Sequence, residues 1–279
     1  GLRWATMRAT AEELYRFSRM VGAAQDQQQR IARLLGECAS RERLQMALKH
    51  FKILESGHTT DSILDLAESL LATSSSLTCP AKRHRMRNAS CILGLYAIAP
   101  LRNASAFLVF GKTLFWRNGQ WVIETRIQKT AQYNARAFVM PLEPETGRFI
   151  DALVLGEASI TELPELRRQV LAAERPLFIL PDGTAAAPSY IPRIFKAVTG
   201  ISFTSTRSLL YTDEMIHNDA SGVESARVAC HHDANSRMVD TYRLTSVAVH
   251  AVDRLRAGKA NRRQAIMQSA GRSNNNSEF

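Results

Sequence analysis

Phe115-Trp116-Arg117-Asn118-Gly119-Gln120-Trp121-Val122-Ile123 is the stretch that separates this chain from an all-helical protein. Two runs of aromatic and β-branched residues flank an Asn-Gly pair. Asn-Gly accepts the positive φ angles of a two-residue hairpin turn, whose twist matches that of paired strands. The stretch therefore predicts a β-hairpin, with strand character continuing from Thr125 to Gln128. A turn from Lys129 to Asn134 then leads into Ala137-Phe138-Val139-Met140, closed by Pro141. The expectation is a three-stranded antiparallel sheet.

On either side of this sheet the apolar residues recur at helical spacing. Upstream, Leu14, Phe17 and Val21 form one such stripe, and Ile31, Leu34 and Cys38 a second. Leu44, Leu48 and Phe51, then Ile63, Ala67 and Leu70, extend the pattern. Gly22, Gly36 to Ser40 and Gly57 punctuate these segments, and Thr60 is placed to cap the last of them. A helical domain is expected over residues 1–73. The Ser/Thr-rich stretch 74–80, ending in Pro80, reads as a linker. Beyond it a helix packs Ile92, Leu93 and Tyr96 and ends near Ala99, and Pro100 suits the first turn of another short helix. After the sheet, helical patterns resume at Thr146 and run to about Ala257. The polar tail 258–279 is expected to lack fixed structure. The fold class is thus mainly α with a small antiparallel β-sheet (α+β).

The chain of 279 residues is 45% hydrophobic, which is enough for a sizeable core, and carries a formal charge of +10. Such a balance points to a polyanionic partner. The basic residues Arg41, Arg43, Lys49 and Lys52 mark one candidate phosphate-facing surface, and Lys82, Arg83, Arg85 and Arg87 another. No apolar run reaches the ~18 residues of a membrane span, so no membrane partner is expected. Gly1-Leu2-Arg3-Trp4 shows neither an initiator methionine nor an apolar signal core, and a piece of a longer chain is one expectation. The four cysteines form no C-x-x-C pair, which argues against zinc and for reduced thiols of a cytosolic or nuclear protein.

Several polar motifs follow one another in a fixed order. Pro100-Leu101-Arg102-Asn103-Ala104-Ser105 puts an arginine at the start of a helix, after an apolar one. Lys129 falls in the turn between two strands, 27 residues later. Thr204-Ser205-Thr206-Arg207 puts a second arginine at a helix start. Cys230-His231-His232 follows, with His232 25 residues after Arg207, and Tyr242 lies 10 residues further on.

In this ordered set the chain resembles the tyrosine recombinase (phage integrase) family, whose pattern is Arg, Lys, His-x-x-Arg, Gly-His and Tyr. The resemblance covers about residues 80 to 250. It implies an integrase-like catalytic domain over 81–257 and makes the helical segment before it a core-binding, DNA-binding domain. It also implies a site-specific recombinase that cleaves and rejoins double-stranded DNA for a mobile element, without cofactor or metal. It implies as well a homo-oligomer on DNA, as a tetrameric synapse, in the bacterial cytoplasm (nucleoid) or the nucleus.

The chemistry asks for these residue types. Tyr242 would attack phosphorus and keep the bond energy as a phosphotyrosine. Arg102 and Arg207 would hold the non-bridging oxygens as charged planar forks. Lys129 would protonate the departing deoxyribose oxygen. His232, or its neighbour His231, would hydrogen-bond the phosphate or help the tyrosine lose its proton.

Three positions depart from the family, and at one of them His231 stands where the glycine of Gly-His is usual. Thr204 stands where the first histidine of His-x-x-Arg is usual, and a hydroxyl donates without relaying a proton as imidazole does. Ser105 stands where an acidic residue often supports the first arginine. These departures keep two other readings open: a DNA-binding relative with weakened or no catalysis, and a type IB topoisomerase-like enzyme.

Overall fold

The computed structural model describes residues 3–44, 53, 55–126, 137–230, 232, 258–259 and 262–264. It divides the chain into two units, 1–52 and 53–279. Lys49 and Lys52 of the first candidate surface lie outside the described residues, as do Lys129, His231 and Tyr242.

The first unit holds α1 (Trp4–Met20) and α2 (Gln25–Arg43). Four residues join them, with Gly22 in the left-handed region. The helices run antiparallel. Arg8 near the start of α1 pairs with Glu42 near the end of α2, and the Arg41 guanidinium lies over the Trp4 ring at 4.6 Å. Ala11, Ser18 and Cys38 are buried, whereas Leu14, Phe17, Val21 and Leu34 are exposed. The first expected stripe is thus exposed, while the second is split, with Leu34 exposed, Ile31 half-buried and Cys38 buried. A two-helix hairpin buries only the narrow face between its helices. Nor does Gly36 break a helix, because α2 runs through it. One glycine costs only about 1 kcal/mol in a helix interior, and the neighbouring turns bridge it.

The second unit contains α3 (Thr60–Ser76) and α4 (Pro80–Ile98). The cap of α3 is Thr59, one residue before the expected Thr60. The Thr59 hydroxyl accepts from the Ser62 amide, and the Ser62 hydroxyl accepts from the Thr59 amide, both at 3.0 Å. The expected linker 74–80 is mostly helix. Its serines extend α3 to Ser76, and only Leu77, Thr78 and Cys79 separate it from α4. The division falls between Lys52 and Ile53 because α3 packs on α4, with the Ser90 hydroxyl donating to the Ala67 carbonyl at 2.6 Å.

α4 is the centre of this unit. Every residue from Asn88 to Ala97 is buried, as expected of a helix covered on all sides. Gly94 gives the Phe149 ring the space a Cβ would fill. Beyond α4, Pro100 begins no α-helix. One 3₁₀ turn follows, Asn103–Ser105, with the Ser105 amide bonded to the Arg102 carbonyl.

The sheet forms as read from Asn118-Gly119, which sit at φ +52° and +80°. Strand β1 (Leu114–Arg117) pairs antiparallel with β2 (Gln120–Thr125), placing Trp116 opposite Trp121. β2 pairs antiparallel with β3 (Phe138–Pro141). Helices α5 (Pro144–Leu155), α6 (Leu163–Ala172), α7 (Tyr190–Thr199) and α8 (Thr206–Ala229) follow. Asp151 of α5 ties the sheet to two helices. It accepts from the Trp121 indole at 2.9 Å and takes a bidentate pair from Arg167 of α6, whose guanidinium lies over Trp116 at 3.6 Å. In the tail expected to lack structure, Gly258, Lys259 and Arg262 to Gln264 are helical, in keeping with the helix propensity of Lys, Arg and Gln. Among the described residues no helix is long and apolar enough to cross a membrane.

Candidate functional site

The start of α8 is built by three short steps. Gly200 ends α7 in the left-handed region, Phe203–Ser205 makes a 3₁₀ turn, and α8 begins at Thr206. Arg207 is therefore the second residue of a helix, as expected from the sequence. Phe203 locks this corner. It is 2% exposed and packs edge-on against Tyr96 of α4 and Phe195 of α7.

Arg207 is only 5% exposed, and its Nε donates to the Pro100 carbonyl at 2.7 Å. That bond reaches the loop carrying Arg102 two residues further on. Arg102 itself is half-buried, with extended backbone. Both guanidiniums act on the same third group, Cys230 at the end of α8. Burial pushes the Cys230 thiol up to about 12, while Arg207 and then Arg102 oppose the shift by favouring a thiolate. Two arginines 105 positions apart in sequence thus both favour the charged form of Cys230.

His232 lies two residues past Cys230 and is buried. Its Nδ1 is hydrogen-bonded to the Tyr211 hydroxyl at 3.0 Å, and the two rings stack at 5.9 Å with 17° between their planes. The His232 backbone is clamped on both sides. Its amide donates to the Arg227 carbonyl at 3.0 Å, and Arg227 Nη1 donates to the His232 carbonyl at 2.7 Å. Glu224 accepts from Arg227 in turn, and that guanidinium holds the Glu224 carboxyl below its ordinary range.

Arg207 is thus tied to the loop that carries Arg102, and His232 to Tyr211 one turn further along α8. Thr204 sits in the 3₁₀ turn, exposed, with its hydroxyl bonded to that of Ser202 at 3.1 Å. Ser105, in place of an acidic residue, is 6% exposed and its hydroxyl has no hydrogen-bond partner among the described residues.

The basic residues divide. In the first unit, Arg41 and Arg43 are exposed. In the second, Lys82 and Arg85 are exposed on α4, but Arg83 and Arg87 share Glu157 as a partner at 2.5 and 2.7 Å. Arg83 also donates to the Leu77 carbonyl at 3.0 Å. Half of this expected phosphate-facing cluster is therefore engaged within the protein.

Sequence reasoning missed Tyr211, Arg227 and the Pro100 carbonyl. Tyr211 carried a usable signal, because four residues after Arg207 it shares that helix face. Nothing local to Arg227 or Pro100 marks them.

No protein-family model, curated protein or solved structure matches this chain.

Proposed function

We propose that this protein cleaves and rejoins DNA strands as a divergent tyrosine recombinase, with Tyr242 as nucleophile. The single observation that carries the reading is the Arg207–Pro100 bond, which ties the arginine at the start of α8 to the loop that carries Arg102. Paired arginines suit a phosphodiester, whose transition state gathers charge on the non-bridging oxygens. In the proposed step the Tyr242 oxygen bonds to phosphorus as the bond to the deoxyribose oxygen breaks. Lys129 gives that oxygen its proton. Double-stranded DNA is the proposed partner, and a tetramer on DNA the proposed assembly.

A second reading is a DNA-binding relative without efficient chemistry. It is favoured by the exposed Thr204 hydroxyl bonded to Ser202, and by the burial of Arg207 against a main-chain carbonyl. One experiment separates the two. The protein is incubated with nicked duplexes bearing the terminal repeats that flank its gene, and covalent complexes are resolved on a denaturing gel. The recombinase reading expects an adduct in the wild type and none in Tyr242→Phe, which still binds the duplex. Salt-dependent binding with no adduct in the wild type would establish the second reading. An adduct that survives Tyr242→Phe would overturn the choice of nucleophile.

A further inference from the structure

Resting on that reading, we infer that His58 is a positioning residue for Arg207, acting through the last turn of α7. The chain enters the second unit at Ile53, a buried core residue. Between there and the start of α3 it makes two bonds to distant helices. His58 Nε2 donates to the Thr199 carbonyl at 2.9 Å, 141 residues away. Two residues on, the Thr60 amide donates to Asp213 Oδ2 of α8. Thr199 ends α7 and Asp213 lies in α8, with the Arg207 corner between them. The entry segment thus holds that corner from both sides.

The carbonyls of a last helical turn have no partner within the helix, and Thr199 is buried. His58 supplies the missing donor from outside. Its ring is oriented in turn, because Nδ1 meets the Ser62 hydroxyl of the α3 capping box at 3.3 Å. Thr199 passes the constraint on. Its hydroxyl donates to the Phe195 carbonyl at 2.8 Å and accepts from the Ile201 amide at 3.3 Å. Phe195 packs edge-on against Phe203, the residue that locks the corner. Without the His58 donor the end of α7 loosens, and the turn that sets Arg207 loosens with it.

Two substitutions in the full-length protein separate the donor from the bulk of the ring. His58→Phe keeps a planar ring and deletes the donor, whereas His58→Gln puts an amide N–H where Nε2 stood. In His58→Phe, adduct formation on saturating nicked duplex should slow about tenfold, the worth of one buried hydrogen bond, with duplex affinity unchanged. His58→Gln should restore the wild-type rate. Amide hydrogen exchange reads the corner without any cleavage. The Gly200, Ile201 and Ser205 amides are all hydrogen-bonded. They should exchange about tenfold faster in His58→Phe and at the wild-type rate in His58→Gln. An unchanged adduct rate or unchanged exchange in His58→Phe overturns the inference, as does a loss that His58→Gln fails to restore. If His58→Phe fails to fold, His58→Ala takes its place in both assays. A wild type that forms no adduct removes the recombinase reading, and hydrogen exchange alone then decides whether His58 holds the corner.

Discussion

Arg207 Nε donates to the carbonyl oxygen of Pro100 at 2.7 Å, across 107 residues of chain. The bond gives one side chain two jobs. It closes the corner between the end of α4 and the start of α8, and it ties Arg207 to the loop that carries Arg102.

Replacing Arg207 by Lys should therefore hurt twice. The charge stays, but the planar fork and the Nε donor are lost. Stability should fall by about 1–3 kcal/mol, because a buried carbonyl loses its donor. Cleavage should fall by about 3–4 kcal/mol of transition-state stabilisation. Arg102→Lys should lose cleavage similarly while changing stability by less than about 0.5 kcal/mol. Urea denaturation and adduct formation measure the two effects. Near wild-type cleavage by both variants would remove the phosphate clamp.

Glu157→Gln should strengthen duplex binding. Arg83 and Arg87 hold this carboxylate, which keeps its protonation below the ordinary carboxylate range and leaves it charged at neutral pH. Without that charge both arginines become available to DNA. The slope of log affinity against log salt should steepen by about one to two. An unchanged slope would mean that this part of α4 does not face the duplex.

Thr59→Ala should cost about 1 kcal/mol, because it removes the capping box of α3. Thr60→Val should be neutral or mildly stabilising, since the Thr60 hydroxyl is buried without a hydrogen-bond partner among the described residues. Chemical denaturation of both variants checks this. The reverse order would return the cap to Thr60.

Asp213 of α8 accepts a hydrogen bond from the Thr60 amide at the start of α3, and burial raises its pKa. The Thr60 bond and His217 oppose the rise, while Asp61 adds to it. A carboxyl whose folded pKa is raised binds its proton more tightly when folded. Its contribution to stability therefore grows as pH falls through the folded pKa and is smallest at neutral pH and above. Asp213→Asn keeps an acceptor for Thr60 and removes the titration. Denaturation from pH 8 to 4.5 should show wild-type stability gaining on the variant as pH falls. Parallel curves would sink the assignment.

Features that depend on neighbouring residues were legible in the sequence. Asn118-Gly119 between two β-forming runs determined the hairpin, because the turn angles and strand preferences belong to those residues themselves. Helical periodicity determined a mainly α chain with one small sheet. Arg207 at a helix start was readable for the same reason, whereas Arg102, expected at a helix start too, has extended backbone before a 3₁₀ turn. Periodicity could not say what covers an apolar face, so Leu14, Phe17 and Val21 looked buried and are exposed. Nor could serine and threonine density tell a linker from the last turn of α3. The tertiary structure alone decided that Arg207 reaches Pro100, that Glu157 holds Arg83 and Arg87, and that Tyr211 faces His232. Each of these contacts joins distant segments, and its geometry follows from how the helices pack around α4. That packing is a property of the whole core, which no local window of sequence contains.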